Sequence, residues 1–184
     1  RVLSGKKYQV EPKAAQMLVE FLGTNLSKIS NELDKLMLIL PAGTIISPTH
    51  IEENIGISKD YNNFELRKAV GEKNVVKANR IIVYFAENPK NNPLVMTISL
   101  LNSFFTQLLL FHSLDDRSKN SVSKMLGVNP FFVDEYFLAG RNYPMRKVAQ
   151  VIAFLRDADI KSKGVGANQT NEDVLKELLF KILH

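Results

Sequence analysis

The chain has 184 residues, 24 Lys and Arg against 19 Asp and Glu for a net charge of +5, and no cysteine. That length fits one fair-sized domain or two small ones, and 45% hydrophobic with 23% charged residues is ordinary for a globular chain. Lack of Cys excludes disulfides, thiolate nucleophiles and Cys-based zinc or iron-sulfur sites, while the modest basic excess permits an acidic partner such as nucleic acid without requiring one.

The chain opens Arg1-Val2-Leu3-Ser4-Gly5, with neither an initiator Met nor the apolar core of a signal peptide, and so reads as a cut inside a longer protein. Periodicity from there on is helical, and strand patterns are confined to short Val/Ile pairs, so an all-α fold is expected. Glu11-Pro12 starts a first helix with Ala15, Leu18, Val19 and Leu22 on one face, stopped by Gly23. Thr24 or Asn25 caps a second, in which Leu26, Ile29, Leu33, Leu36, Met37 and Leu40 recur at three- and four-residue steps until Pro41. Ser47-Pro48 opens a short third helix with His50, Ile51 and Ile55 inward, closed by Gly56.

The polar stretch from Ser58 to Asn63 is the expected linker between this three-helix bundle and a second unit. There, Asn63 is placed to cap Phe64 to Glu72, and Asn74 to cap Val75 to Glu87. The run from Asn88 to Pro93 must break the chain before a long helix, Leu94 to Leu114. The uncharged segment Asn91 to Leu114 is long enough to span a bilayer, but Thr97, Ser99, Asn102, Gln107 and their polar neighbours interrupt it, so a buried central helix is expected and no membrane. Ser118 to Leu126 ends at Gly127, Pro130 to Ala139 ends at Gly140, and Met145 to Ser162 runs into the Gly164-Val165-Gly166 loop. Thr170 or Asn171 caps a last helix with Val174, Leu178, Leu179 and Ile182 as its apolar stripe.

Residues 1 to 62 carry 7 basic and 7 acidic side chains, which leaves 17 basic and 12 acidic for the remainder, so the entire +5 belongs to the second unit. Few residues there suggest chemistry. His50, His112 and His184 are isolated from one another and from carboxylates at metal-binding spacing, so no metal site is expected. Gly5-Lys6-Lys7 lacks the earlier glycine and strand of a phosphate loop, and Gly164-Val165-Gly166 follows a helix, not a strand. Asp157 and Asp159 point about 200° apart on a helix and cannot converge, whereas Asp157 and Lys161 are spaced for a surface ion pair. Ser121 and Lys124 have the Ser-x-x-Lys spacing without its supporting motifs. The concentration of aromatics in the second unit, including Phe104, Phe105, Phe111 and Phe154, fits a core together with an assembly surface, for which Phe131, Phe132, Tyr136 and Phe137 are the candidates.

The order of several short segments carries a resemblance. These are Gly23-Thr24-Asn25-Leu26 leading to Asn31-Glu32-Leu33-Asp34-Lys35-Leu36, Thr44-Ile45-Ile46-Ser47-Pro48, and Asn63-Phe64-Glu65-Leu66 with Ala69-Val70. Asn92-Pro93-Leu94, Leu126-Gly127-Val128-Asn129-Pro130-Phe131-Phe132 and Leu155-Arg156-Asp157-Ala158-Asp159-Ile160-Lys161 follow in turn. Over essentially the whole length the chain resembles the C-terminal two-thirds of the delta subunit of the bacterial DNA polymerase III clamp loader.

The resemblance implies a residual linker from a missing AAA+ domain over residues 1–10, a three-helix lid-type domain over 11–59 and a helical collar over 60–184. It also implies a cytoplasmic, non-catalytic fragment without cofactor or metal. Its parent complex resembles the DNA polymerase III holoenzyme with its clamp-loader ATPase, and the fragment's role would be to scaffold the loader ring that places the sliding clamp on primed DNA. The implied partners are the gamma/tau and delta prime subunits through the collar, with the sliding clamp reached only through the missing domain. ATP-hydrolysing relatives place an arginine near the start of the second lid helix. Thr24 to Leu40 contains none, and Lys28 lies on the polar side. The alternative expectation is direct contact with primer-template DNA through the basic second unit, with Lys161, Lys163 and Gln169 approaching the strand.

Overall fold

A computed structural model describes residues 8–23, 25–164 and 169–184. The segments Arg1 to Lys7, Thr24, and Val165 to Asn168 lie outside the described residues, and with them the glycine-lysine turn, one of the two proposed caps and most of the proposed Gly-rich loop. The chain divides into two compact units, Arg1–Phe64 and Glu65–His184, and the described residues are all-α apart from one short strand pair.

In the first unit, helices α1 (Pro12–Leu22), α2 (Leu26–Ile39) and α3 (Pro48–Ile55) enclose Met17, Leu18, Leu33, Leu36, Ile46 and Ile51. Local chemistry fixes their ends. Asn25 accepts from the Lys28 amide, and Ser47 and His50 form a reciprocal capping box behind Pro48. Gly56 takes the left-handed conformation (φ 80°, ψ 18°) that closes α3 at low steric cost. The Val/Ile pairs become strands β1 (Gln9–Val10) and β2 (Ile45–Ile46), parallel with Gln9 opposite Ile45. Beside them the Tyr8 hydroxyl lies 2.8 Å from the Leu40 carbonyl and 3.1 Å from that of Met37, meeting acceptors left over at the end of α2. Two expected inward residues turn out: Val19 is exposed because α1 buries the Ala14, Met17, Leu18 face, and Leu26 sits at the open first turn of α2.

The second unit is assembled around one helix. Its elements are α4 (Asn63–Gly71), which begins just before the unit boundary, α5 (Val75–Glu87), α6 (Leu94–His112), α7 (Lys119–Leu126), a 3-10 turn (Pro130–Phe132), α8 (Val133–Asn142), α9 (Met145–Ser162) and α10 (Asn171–Leu183). Helix α6 is, among the described residues, the one helix long and apolar enough to cross a bilayer. It instead packs against α7, α8 and α9, while α10 lies on α9 and α5. Leu94, Ile98, Leu101, Phe104, Phe105, Leu108 and Phe111 of α6 all enter the core. Asn74, Ser118 and Thr170 cap α5, α7 and α10 through their side chains. Asn63 does not cap α4 but is its first residue.

Tyr143 ties three helices at the C-terminus of α8. Its hydroxyl donates to the Val70 carbonyl (2.8 Å), its own carbonyl accepts from His112 Nε2 (2.7 Å), and its ring stands edge-on to Phe105 at 5.2 Å. Gly140 corrects the sequence reading. It does not end α8, which continues to Asn142, but lets the helix approach α6: a Cβ there would lie 2.6 Å from Phe111 Cε1. Gly140→Ala is therefore expected to lower stability by about 1–3 kcal/mol through overpacking, despite its better helix propensity. Urea unfolding with an unchanged slope would show this; an unchanged midpoint would refute the close approach.

Candidate functional site

The aromatic segment before α8 is organised by Asn129, whose side-chain oxygen accepts from the Phe131 amide (2.9 Å), and by Pro130, which fits the first position of the turn. The tight turn sends consecutive rings in opposite directions: Phe131 is 64% exposed and Phe132 4%, with ring planes perpendicular at 5.1 Å. Of the four aromatics expected at an assembly surface, Phe131 alone projects fully. Phe132, the last residue of the 3-10 turn, and Tyr136 are buried, the latter because α8 turns its 133, 136 and 139 positions toward α6. Tyr136 lies 5.3 Å from the Phe104 ring and donates from its hydroxyl to Gln107 Oε1 (2.6 Å). Phe137 is half-buried, edge-on to Phe111 at 5.3 Å.

Exposed apolar side chains that the helical pattern did not single out include Met125, Leu138 and Phe180, at 54%, 41% and 66%. They lie off the repeating stripe of their helices, so periodicity assigns them to solvent; only their bulk on a polar face marks them. Arg67 was likewise not legible. It is 9% exposed, with its guanidinium 5.8 Å and 5.9 Å from the ring centres of Phe104 and Phe132 and Nη2 donating to Glu135 Oε2 at 3.1 Å. Burial holds the Glu135 carboxyl above its ordinary value even though Arg67 and Lys68 pull it down.

The three residues proposed for DNA contact lie at the C-terminal end of α9 and the start of α10. Lys161 donates to both Glu177 oxygens (2.9 and 2.8 Å), Gln169 Nε2 reaches Glu177 Oε2 at 3.2 Å, and Lys163 pairs with Asp159 at 2.6 Å. Lys161 thus turns to α10, not to Asp157, correcting the expected i,i+4 pair: packing of α10 on α9 brings in a carboxylate that linear spacing cannot reveal. Lys161, Lys181 and Gln169, in that order, hold the Glu177 carboxyl down at about 2. Each proposed DNA contact is therefore engaged with a carboxylate, although the groups remain partly exposed and pairs of this kind are weak.

Elsewhere the polar groups are structural. Lys28 is exposed on α2, His50 belongs to the α3 cap, His112 bonds Tyr143, and His184 stacks on Phe180 at 4.8 Å. Among the described residues no group of three or more His, Asp or Glu side chains is placed to hold a metal ion.

The second unit is a helical domain built around one apolar helix. Residues 60–181 match the DNA polymerase III delta subunit, C-terminal domain, and the chain belongs to that family. Its fold is similar to that of the Bacillus subtilis DNA clamp loader delta protein (YqeN), with a TM-score of 0.66 at 18% identity, over 99% of this chain and 53% of that one. The chain thus spans about half the length of that relative. Among curated proteins, none matches the sequence.

Two outcomes follow from this geometry. Phe131→Ala is expected to stay within about 0.5 kcal/mol of the parent in chemical denaturation, as an exposed side chain should, whereas Phe132→Ala costs about 3–5 kcal/mol. Because the Glu177 pKa is lowered on folding, its contribution is present above the unfolded value near 4.5 and fades as pH falls toward 2. Glu177→Gln should therefore be less stable than the parent at pH 6 and equal to it near pH 2, as read from thermal midpoints across that range. A pH-independent difference would show that the Lys161, Lys181 and Gln169 contacts do not act through the charge.

Proposed function

We propose that the chain is a non-catalytic part of a clamp-loader delta subunit, with residues 11–59 a lid-type domain and residues 60–184 a collar that docks with neighbouring loader subunits. Membership of the delta C-terminal family over residues 60–181 carries this reading. The similarity to the B. subtilis clamp loader delta protein along 99% of the chain supports it. The neighbours are the gamma/tau and delta prime subunits in a cytoplasmic replication complex. The role is geometric: binding energy at the collar holds nucleotide-driven neighbours in register, so their changes of state become movements of attached domains.

A second reading is direct contact with primer-template DNA, favoured by the placement of the entire +5 in the second unit. The carboxylates engaging Lys161, Lys163 and Gln169 count against those three as its main contacts.

The chain mixed with loader ATPase subunits from the same source should co-elute with them or displace the full-length delta subunit at micromolar concentration. Phe131→Asp should weaken that association by about tenfold, the size expected for loss of an interface aromatic. Failure of the unaltered chain to associate would overturn the scaffold reading. A salt titration of binding to a primed oligonucleotide decides the second: salt-sensitive binding supports it, and absence of binding at low salt removes it.

A further inference from the structure

Helices α4 and α8 of the second unit leave a cavity of about 200 Å³ between them. Its apolar surface comes from the edge of Phe104, the exposed Leu138 and the bare backbone of Gly71. Gly71 is helical, and a Cβ there would sit 3.3 Å from Phe104 Cζ and 3.5 Å from Ala139 Cβ, so any larger residue would crowd the aromatic edge. The charged part of the lining is Glu72, Asp134 and Glu135 against Arg67 and Lys68, an acidic excess inside a unit that otherwise carries the whole basic excess of the chain.

These charges are not equally available. Arg67 is directed inward between two aromatic rings and onto Glu135, with a side chain only 10% exposed. Asp134 faces Lys119 in a pair whose members are 69% and 64% exposed, a contact worth little and easily exchanged. Glu72 is exposed at the mouth, and burial, with a smaller contribution from the Glu72 charge, keeps the Glu135 carboxyl raised against the pull of Arg67 and the half-buried Lys68. Phe131, exposed on the 3-10 turn that leads into α8, stands three residues before Asp134.

An apolar floor beneath a carboxylate rim is complementary to one kind of side chain, an aliphatic stem that ends in a delocalised cation. We propose that this cavity is a socket for an arginine side chain presented by a neighbouring subunit, its methylenes lying against Phe104, Gly71 and Leu138 and its guanidinium shared by Glu72 and Asp134. Arginine fits better than lysine because its planar fork donates to two carboxylates at once and stays charged when desolvated. A volume of about 200 Å³ suits one long side chain and is too small for a helix. Placement of that arginine on a loader subunit rests on the assembly reading; the chemistry of the socket does not.

The test titrates the isotopically labelled chain with N-acetyl-arginine amide and follows backbone amide shifts. Gly71, Glu72 and Leu138 should shift and saturate in the millimolar range, with N-acetyl-norleucine amide at least about fivefold weaker and Glu72→Gln/Asp134→Asn reducing arginine binding by a similar factor. Both substitutions are at exposed positions, so the spectrum of the double variant also reports that the fold persists. Equal binding of the norleucine probe, or no saturation with arginine at tens of millimolar, overturns the socket. In the co-elution assay, Glu72→Gln/Asp134→Asn should weaken association about tenfold, and full retention of assembly would overturn its use in docking. If the unaltered chain fails to assemble, the scaffold reading falls while the titration still decides whether the cavity takes arginine.

Discussion

The second unit depends on helix α6, whose apolar residues occupy most of its circumference and leave an edge of Ser99, Asn102, Ser103 and Thr106 facing water. A helix that is apolar around most of its circumference can be stable in an aqueous protein only when other elements cover it on several sides. Eight of its residues, from Leu94 to Phe111, are buried. Helices α7, α8 and α9 supply the cover, and α10 with α5 completes the layer behind α9. Burial of Phe104, Phe105 and Phe111 contributes about 1.5–3 kcal/mol each, and mutual edge-to-face contacts add to it. The outer helices are ordinary amphipathic ones whose inner faces are set by this axle, and that fixes which of their residues remain for anything else.

The sequence was most legible where a local chemical rule decides the outcome. Asn25, Ser47, Asn74 and Thr170 each cap the helix they precede, because an extended residue with a short oxygen-bearing side chain is the cheapest partner for orphan amides. The α9 limits, Met145 to Ser162, follow from Pro144 and the turn after it in the same way. Tertiary decisions were not legible. Gly140 looks like a stop and is a contact with Phe111; Phe131 and Phe132 are equivalent in sequence and opposite in burial. Lys161 has a suitable local partner in Asp157, yet takes Glu177 from a helix sixteen residues on. The hydrophobic pattern likewise announced Val19 and Leu26 as inward because it has no access to the angle at which α1 and α2 meet.

The functional reading inherits this division. The family is carried by the order of short segments and by the match over residues 60–181, not by any reactive constellation. What could perform the docking emerges only from packing: Phe131 thrown outward by a 3-10 turn, and a small acidic cavity left where Gly71 contributes no side chain. Arg67, invisible as anything but one more base in the sequence, braces that region by pairing with Glu135 between two rings.

Tyr143 gives the second unit a chemical ceiling. Burial pushes its phenol well above the ordinary value of 10, since a phenolate there would face the Val70 carbonyl oxygen as well as lose its water. In the unfolded chain the same group ionises freely in moderate alkali. The stability it lends is therefore whole below pH 10 and drains away above it, with no loss of any apolar contact. With no tryptophan in the chain, the ultraviolet absorbance of ionising tyrosine is the sum of five phenols, and the hydroxyl joining α4 to the end of α8 adds its share to that signal as the two part.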